Sequence, residues 1–170
     1  VRAACASGWD FSARWFEDPD RLVTIRAADI APVDLQCLLF HLEQSIAAMH
    51  SRTGSAQFEH WQTQAHQRKE SIQQLFWNAE IGYFSDIFLP SGQHTSVPSL
   101  AGVFPLALGV ASQEQADRAA AFIETNFLQP GGVVSTSLTT GQQWDAPNGW
   151  APLQYMTVLG LHKYGHQKLA

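Results

Sequence analysis

Two short stretches of this chain carry side chains suited to handling a sugar. The first is Gln143-Trp144-Asp145-Ala146-Pro147-Asn148-Gly149-Trp150-Ala151-Pro152, with two indoles, a carboxylate and two amides in ten residues. Pro147 and Pro152 fix their own φ and bias the residues before them away from the α region, while Gly149 permits backbone angles that a side chain opposes. The stretch therefore reads as a rigid aromatic loop. Indole faces cover the apolar C–H face of a sugar, and amides and a carboxylate supply donors and acceptors for its hydroxyls. The same composition suits a structural loop whose indoles plug a core. The second stretch, Ser7-Gly8-Trp9-Asp10-Phe11-Ser12-Ala13-Arg14-Trp15, sets Asp10 between two aromatic residues. Such surroundings disfavour a charged carboxylate and raise its pKa, as a general acid working near neutrality requires. On residue type alone, loop bracing or capping is the commoner use of such an aspartate.

The ten-residue loop matches the pattern Gln-Trp-Asp-x-Pro-x-Gly-Trp-Ala-Pro at all eight specified positions. That pattern marks the trehalases, inverting α,α-trehalose hydrolases built as an (α/α)6 barrel, and the chain resembles this family. Residues 7–15 are similar to the family's Glu-Ser-Gly-Trp-Asp-Phe-Ser-Ser-Arg-Trp. The order and separation of the two segments suit it too, so the resemblance runs over essentially the whole chain. It implies cleavage of α,α-trehalose to two glucose molecules, with Asp10 as general acid and Gly8 meeting a sugar hydroxyl through its backbone. Trp9, Gln143, Trp144, Asp145 and Trp150 would shape the pocket, Trp144 and Trp150 as stacking faces, Gln143 and Asp145 taking hydroxyls or bracing the loop. Arg14 and Arg26 have family counterparts and are each expected to pair with a loop carboxylate. The resemblance also implies a bacterial periplasmic location, with the export signal upstream of Val1.

Inversion needs an acid on one side of the scissile bond and a base that activates water on the other, about 6.5 to 9.5 Å apart. The family's base is a Glu in a Gly-rich segment after the Gln-Trp-Asp motif, and no Glu follows Pro152. The family's N-terminal Gly-Gly-Arg signature is also absent. The remaining carboxylates in motif-like settings, Asp34 and Asp145, do not occupy the base position, so these residues alone are expected to be catalytically silent. Ala6 stands where the family has Glu, removing an acceptor worth about 1.5 to 3 kcal/mol if it holds a charged hydrogen bond. Gln36 replaces the family's usual Asn, a milder change. These departures keep open a second reading, a non-catalytic carbohydrate-binding or helical scaffold piece.

Other chemistries find little support. His162 and His166 have the i, i+4 spacing of a ligand pair but no Glu or third ligand with them. The other histidines sit mainly on polar faces, so no metal or other cofactor is expected. Neither Cys5 nor Cys37 has an adjacent His, and Ser7-Gly8 lacks a nucleophile turn. Two cysteines do not make a disulfide framework, and their pairing is not deducible. A net charge of −5 with ten Lys plus Arg gives no clustered basic surface for nucleic acid. No apolar run spans a membrane, since residues 97–111 are broken by prolines and a serine. The charged fraction of 15% is low against about 25% in typical domains, which fits a chain whose partner surfaces lie elsewhere. With no initiator Met and an uncapped last helix, the expectation is an interior part of one (α/α)6 catalytic domain lacking portions on both sides.

The elements that must position these loops are helical. Pro32 opens a helix over 33–51, with Leu35, Leu38, Leu39, Leu42, Ile46 and Met49 at helical spacing. Ser55 suits an N-cap for a helix to about 76, with Phe58, Trp61, Ala65, Ile72 and Leu75 as its stripe. Residues 77–88 break the period and read as a β-hairpin or turn. Residues 99–111 read as a buried helix kinked or restarted at Pro105. Residues 114–128 form an amphipathic helix with Ala116, Ala119, Ala120, Ile123 and Phe127 inward, stopped by Pro130-Gly131-Gly132. An extended piece leads into the aromatic loop, and 152–166 is the last helix. The fold class is all-α: about half of a six-hairpin toroid, with chemistry on the loops at one rim and the rest of the barrel as packing partner.

Overall fold

The computed structural model describes residues 1–170. Its frame is four long helices: α2 (Val33–Thr53), α3 (Phe58–Leu75), α5 (Gln113–Asn126) and α6 (Ala151–Lys163), with short α1 (Arg2–Ser7) before them and short α4 (Phe104–Ala107) between α3 and α5. Each long helix begins where local chemistry favours it. Pro32 precedes α2, Pro152 occupies the first turn of α6, and α5 opens with a reciprocal capping box between Ser112 and Gln115. α2 stops at Gly54, whose φ of 65° a side chain would resist. The short connection folds α3 back on α2, and Arg68 on α3 donates to Glu43 and Gln36 on α2 across the hairpin.

Small strands dress the loops. β1 (Ile30–Ala31), β4 (Ile87–Phe88) and β5 (Gln93–His94) form an antiparallel sheet in the order β1-β4-β5, while β2 (Trp77–Asn78) pairs β3 (Tyr83–Phe84), and β6 (Leu128–Gln129) pairs β7 (Gly132–Val133). The expected hairpin thus covers Trp77–Phe84, whereas Ile87–Phe88 turns away to the other sheet. Residues 99–111 are not one helix. A 3-10 turn, Leu100–Val103, capped by Ser99, gives way to α4 with Pro105 near its start, because proline cannot donate the bond a continuing helix needs. Short helix α1 had no apolar period to announce it.

The core lies where α5, the β2–β3 hairpin and the 100–107 segment meet. Tyr83 stacks on Phe122 at 4.6 Å with Phe127 beside them, and Ala116, Ala119, Ala120, Ile123 and Phe127 point inward as the periodicity requires. Gly102 admits this packing, since a Cβ there would lie 2.4 Å from the Phe84 carbonyl oxygen.

The face of α2 corrects the sequence reading. Val33, Asp34, Cys37, Phe40, Glu43 and Ala47 are buried, while Leu35, Leu38, Leu42 and Met49 are 47, 48, 53 and 69% exposed. Leu75, counted in the stripe of α3, is also exposed. Periodicity finds two apolar sides of α2 but does not say which one these residues cover.

Candidate active site

The aromatic loop and the Asp10 segment lie against each other. The Trp144 N–H donates to the Phe11 carbonyl at 3.1 Å, and the Trp150 ring meets Trp9 edge-on at 6.2 Å and Trp144 tilted at 4.7 Å. Gly8 has a φ of 80°, and a Cβ there would sit 3.6 Å from the tip of the Trp150 ring. Gly8, Trp9, Trp144 and Trp150 are therefore gathered in one place, 130 residues and more apart in sequence. Asp10 stands between Trp9, which reaches Trp150, and Phe11, which reaches Trp144.

The aromatic loop holds its shape through its own backbone and neighbours. The Ala146 N–H donates to the Leu138 carbonyl, the Asn148 N–H to the Asp145 carbonyl, and the Asn148 side chain to the Gln143 carbonyl. Gln154, from the first turn of α6, brackets Val133 through both its N–H and its carbonyl. Trp144 and Trp150 are half-buried, so each indole has a face in the core and an edge or face outside. The buried Trp144 Nε1 has no acceptor. Gln143 is exposed, with its carbonyl used within the loop and its side chain free to reach outward.

Two sequence expectations change here, and one that was left open is narrowed. Asp10 is exposed rather than enclosed, whereas Trp9 beside it turns inward and is 2% exposed. Trp9 lies in the core and meets the site only through its edge contact with Trp150. Asp145 has no exposure, and its carboxylate is fully engaged. Oδ1 accepts from the hydroxyls of Ser12 at 2.8 Å and Thr136 at 2.9 Å, and Oδ2 accepts from the Ala13 N–H at 2.9 Å and the Thr140 hydroxyl. With four donors already in place it has no lone pair to offer a sugar; of its two possible uses it takes the bracing one.

On the other side of the Asp10 segment, Arg14 is buried between the rings of Trp9 and Trp15, at 4.6 and 4.4 Å. It forks onto Asp34 at 2.8 and 2.9 Å and onto Asp86 at 2.6 and 2.9 Å. Burial alone would lower the Arg14 pKa, but the two carboxylates carry it above its ordinary value, so the guanidinium stays charged. Burial likewise pushes Asp34 up, and the charge and hydrogen bonds of Arg14 override this and hold it below the ordinary carboxylate range. Asp86 Oδ1 also accepts the Val33 N–H at 2.8 Å, joining the start of α2 to the same group. Arg26 pairs with Glu17 on the surface. Both arginines thus find loop carboxylates, Arg14 adding the helix carboxylate Asp34. Asp86 was not legible as a partner, since its sequence neighbours describe only a hairpin. The hydroxyl-rich run 135–140 before Asp145 was the available signal for its clamp.

Paired helices with a carboxylate beside paired indoles on adjoining loops place the chain in the class of helical-hairpin proteins. The family model for trehalase matches residues 1–170, and the chain belongs to that family. It is 42% identical over 171 residues to the periplasmic trehalase of Salmonella typhimurium, covering 100% of this chain and 30% of that protein. The same coverage holds for the periplasmic trehalase of Escherichia coli O139:H28, at 41% identity. Among solved structures, the neutral trehalase of Saccharomyces cerevisiae superposes with a TM-score of 0.79 at 26% identity, over 94% of this chain and 31% of that one. A mannosylglycerate hydrolase from Thermus thermophilus superposes with a TM-score of 0.66 at 21% identity, over 89% of this chain and 37% of that one, and shows the fold alone. The fold is that of part of an (α/α)6 barrel with small β-hairpins in its loops. The chain spans about a third of the length of the relatives it matches.

Proposed function

We propose that the protein containing this chain hydrolyses α,α-trehalose to two glucose molecules with inversion, in the periplasm, and that residues 1–170 form part of a single catalytic domain. The observation that carries the reading is the placement of the Asp10 segment against the Trp144–Trp150 pair, with Gly8 over the edge of Trp150. In the proposed reaction Asp10 gives its proton to the glycosidic oxygen as the C1–O bond breaks. A carboxylate from outside these residues takes a proton from water, whose oxygen bonds to C1 on the opposite face. Trp144 and Trp150 cover the apolar face of a glucose ring, Gln143 meets its hydroxyls, and Gly8 offers its backbone. Asp145 is left out, its oxygens being satisfied, and Trp9 supports the site from beneath. The side of Asp10 that is open here, and the exposed apolar faces of α2 and α6, are covered by the rest of the barrel.

Asp10→Asn in the full-length protein tests the acid. Loss of a general acid lowers turnover by about 100- to 10,000-fold, read as glucose released from trehalose, with the binding of trehalose retained. An Asp10→Asn protein that still turns over at the parent rate removes Asp10 from the role. Ala6, in place of the family's Glu, favours one other reading, a carbohydrate-binding member without activity. A parent protein that binds trehalose by calorimetry yet releases no glucose supports it.

A further inference from the structure

We infer that Asp145 is a positioning residue: its buried carboxylate pins the Asp10 segment to the indole loop and so helps to set the acid's distance from the sugar-stacking face. The inference rests on the reading of Asp10 as the acid. Two of the four bonds to Asp145 come from residues two and three positions beyond Asp10, the Ser12 hydroxyl and the Ala13 N–H. The other two come from Thr136 and Thr140, on the irregular run that enters the indole loop. The carboxylate itself belongs to that loop, between Trp144 and Pro147. A single buried group therefore holds both walls of the site, across 133 residues of chain.

No other side chain links residues 12–13 to the indole loop by a hydrogen bond. The direct bridges are the Trp144 N–H to the Phe11 carbonyl and the edge contact of Trp9 with Trp150, and neither touches residues 12–13. Arg14 fixes the same segment, but toward Asp34 on α2 and Asp86 after β3, away from the indoles. The segment is thus clamped on two sides, and Asp145 is the clamp on the indole-loop side. Ser12 uses its hydroxyl twice, donating to Asp145 and accepting the Arg14 N–H at 3.1 Å, so the two clamps meet at one oxygen.

The chemistry predicts unequal effects from two substitutions. In Asp145→Asn the amide oxygen can keep the Ala13 N–H and the Thr140 hydroxyl, and the amide nitrogen can donate to the Ser12 and Thr136 oxygens, since hydroxyls accept as well as donate. Asp145→Ala keeps none of these bonds. Misplacing a catalytic group by about 1 Å costs on the order of 100-fold in rate. Steady-state trehalose hydrolysis by the full-length protein is expected to show kcat down about 100-fold for Asp145→Ala with KM within a few-fold of the parent, and kcat restored to within about tenfold by Asp145→Asn. A large rise in KM with kcat unchanged makes Asp145 a sugar ligand and overturns the proposal. A folded Asp145→Asn as slow as Asp145→Ala overturns it too, because the charge, and not the geometry, is then what matters. Should Asp145→Ala fail to fold, Ser12→Ala removes one bond to the acid segment while leaving the carboxylate in place, and is expected to lower kcat several-fold at constant KM; an unchanged kcat overturns the proposal. Failure of the acid assignment shows separately, as an active Asp10→Asn.

Discussion

Arg14 illustrates how a residue beside a candidate acid can be structural. Its guanidinium is sealed between two indoles and held by two carboxylates, and removing one partner from such a buried set typically costs about 3 to 5 kcal/mol because the other charges stay behind. The pH dependence follows from Asp34. Its folded-state pKa lies below the unfolded value of about 3.9, so its contribution to stability is complete above that value and is lost as the pH falls through the folded pKa. Asp34→Asn is therefore expected to destabilise the full-length protein at pH 6, with the gap to the parent closing as the pH falls through 4 and below. Denaturant unfolding followed by tryptophan fluorescence measures it, and a gap independent of pH contradicts the assignment. At this scale the sequence was legible in type more than in placement. The arginine's need for carboxylates could be read from its setting, and the indole loop could be read from its prolines. Enclosure of Asp10 could not, because which side of an aromatic flank faces inward is settled by partners far along the chain.

Among the elements, α4 and α6 approach most closely at Gly160. A Cβ there would lie 2.9 Å from the Leu106 Cβ, closer than real Cβ contacts come, and 3.0 Å from the Ala107 N, tighter than nearly all of them. Gly160→Ala has a favourable effect on helix propensity of about 1 kcal/mol and an overpacking cost of about 1 to 3 kcal/mol. The second is expected to win, because the obstructing atoms include backbone, which cannot swing aside as a side-chain tip can. A lower midpoint in thermal unfolding, with reduced trehalose turnover since α6 begins directly after Trp150, is the expected result; a protein more stable than the parent shows that the helices shift at no cost. Element boundaries were well marked in the sequence at Pro32 and Pro152. They were blurred over 99–111, where an unbroken apolar run hid the change from 3-10 turn to α4 at Pro105. Periodicity alone does not distinguish one buried helix from two short ones.

For the molecule as a whole, the helix pairs pointed to a helical-hairpin barrel and the low charge to partner surfaces elsewhere, and the orientation of α2 carries that further. One side of α2 covers this chain's own core, and Leu35, Leu38, Leu42 and Met49 form a second apolar side that nothing among residues 1–170 covers. α6 shows the same with Tyr155 and Val158, 66 and 45% exposed. A helix apolar on both sides is the signature of an element buried in a larger body. The sequence could not assign the two sides of α2 because both satisfy the same 3.6-residue spacing, and only the packing separates them. If the rest of the barrel lies on the outer side, Leu42 is a core residue of the full-length protein. Burying such a side chain is worth about 1.5 to 3 kcal/mol, and replacing it with a charge adds the cost of an unpaired carboxylate. Leu42→Asp is then expected to cost more than about 2 kcal/mol in denaturant unfolding of the full-length protein, whereas a solvent-facing position shifts by no more than about 0.5 kcal/mol. Gln67→Asp, at an exposed site on α3, supplies the comparison. Equal, small effects at both positions mean that the Leu35–Met49 face meets solvent, and that the barrel closes along some other surface.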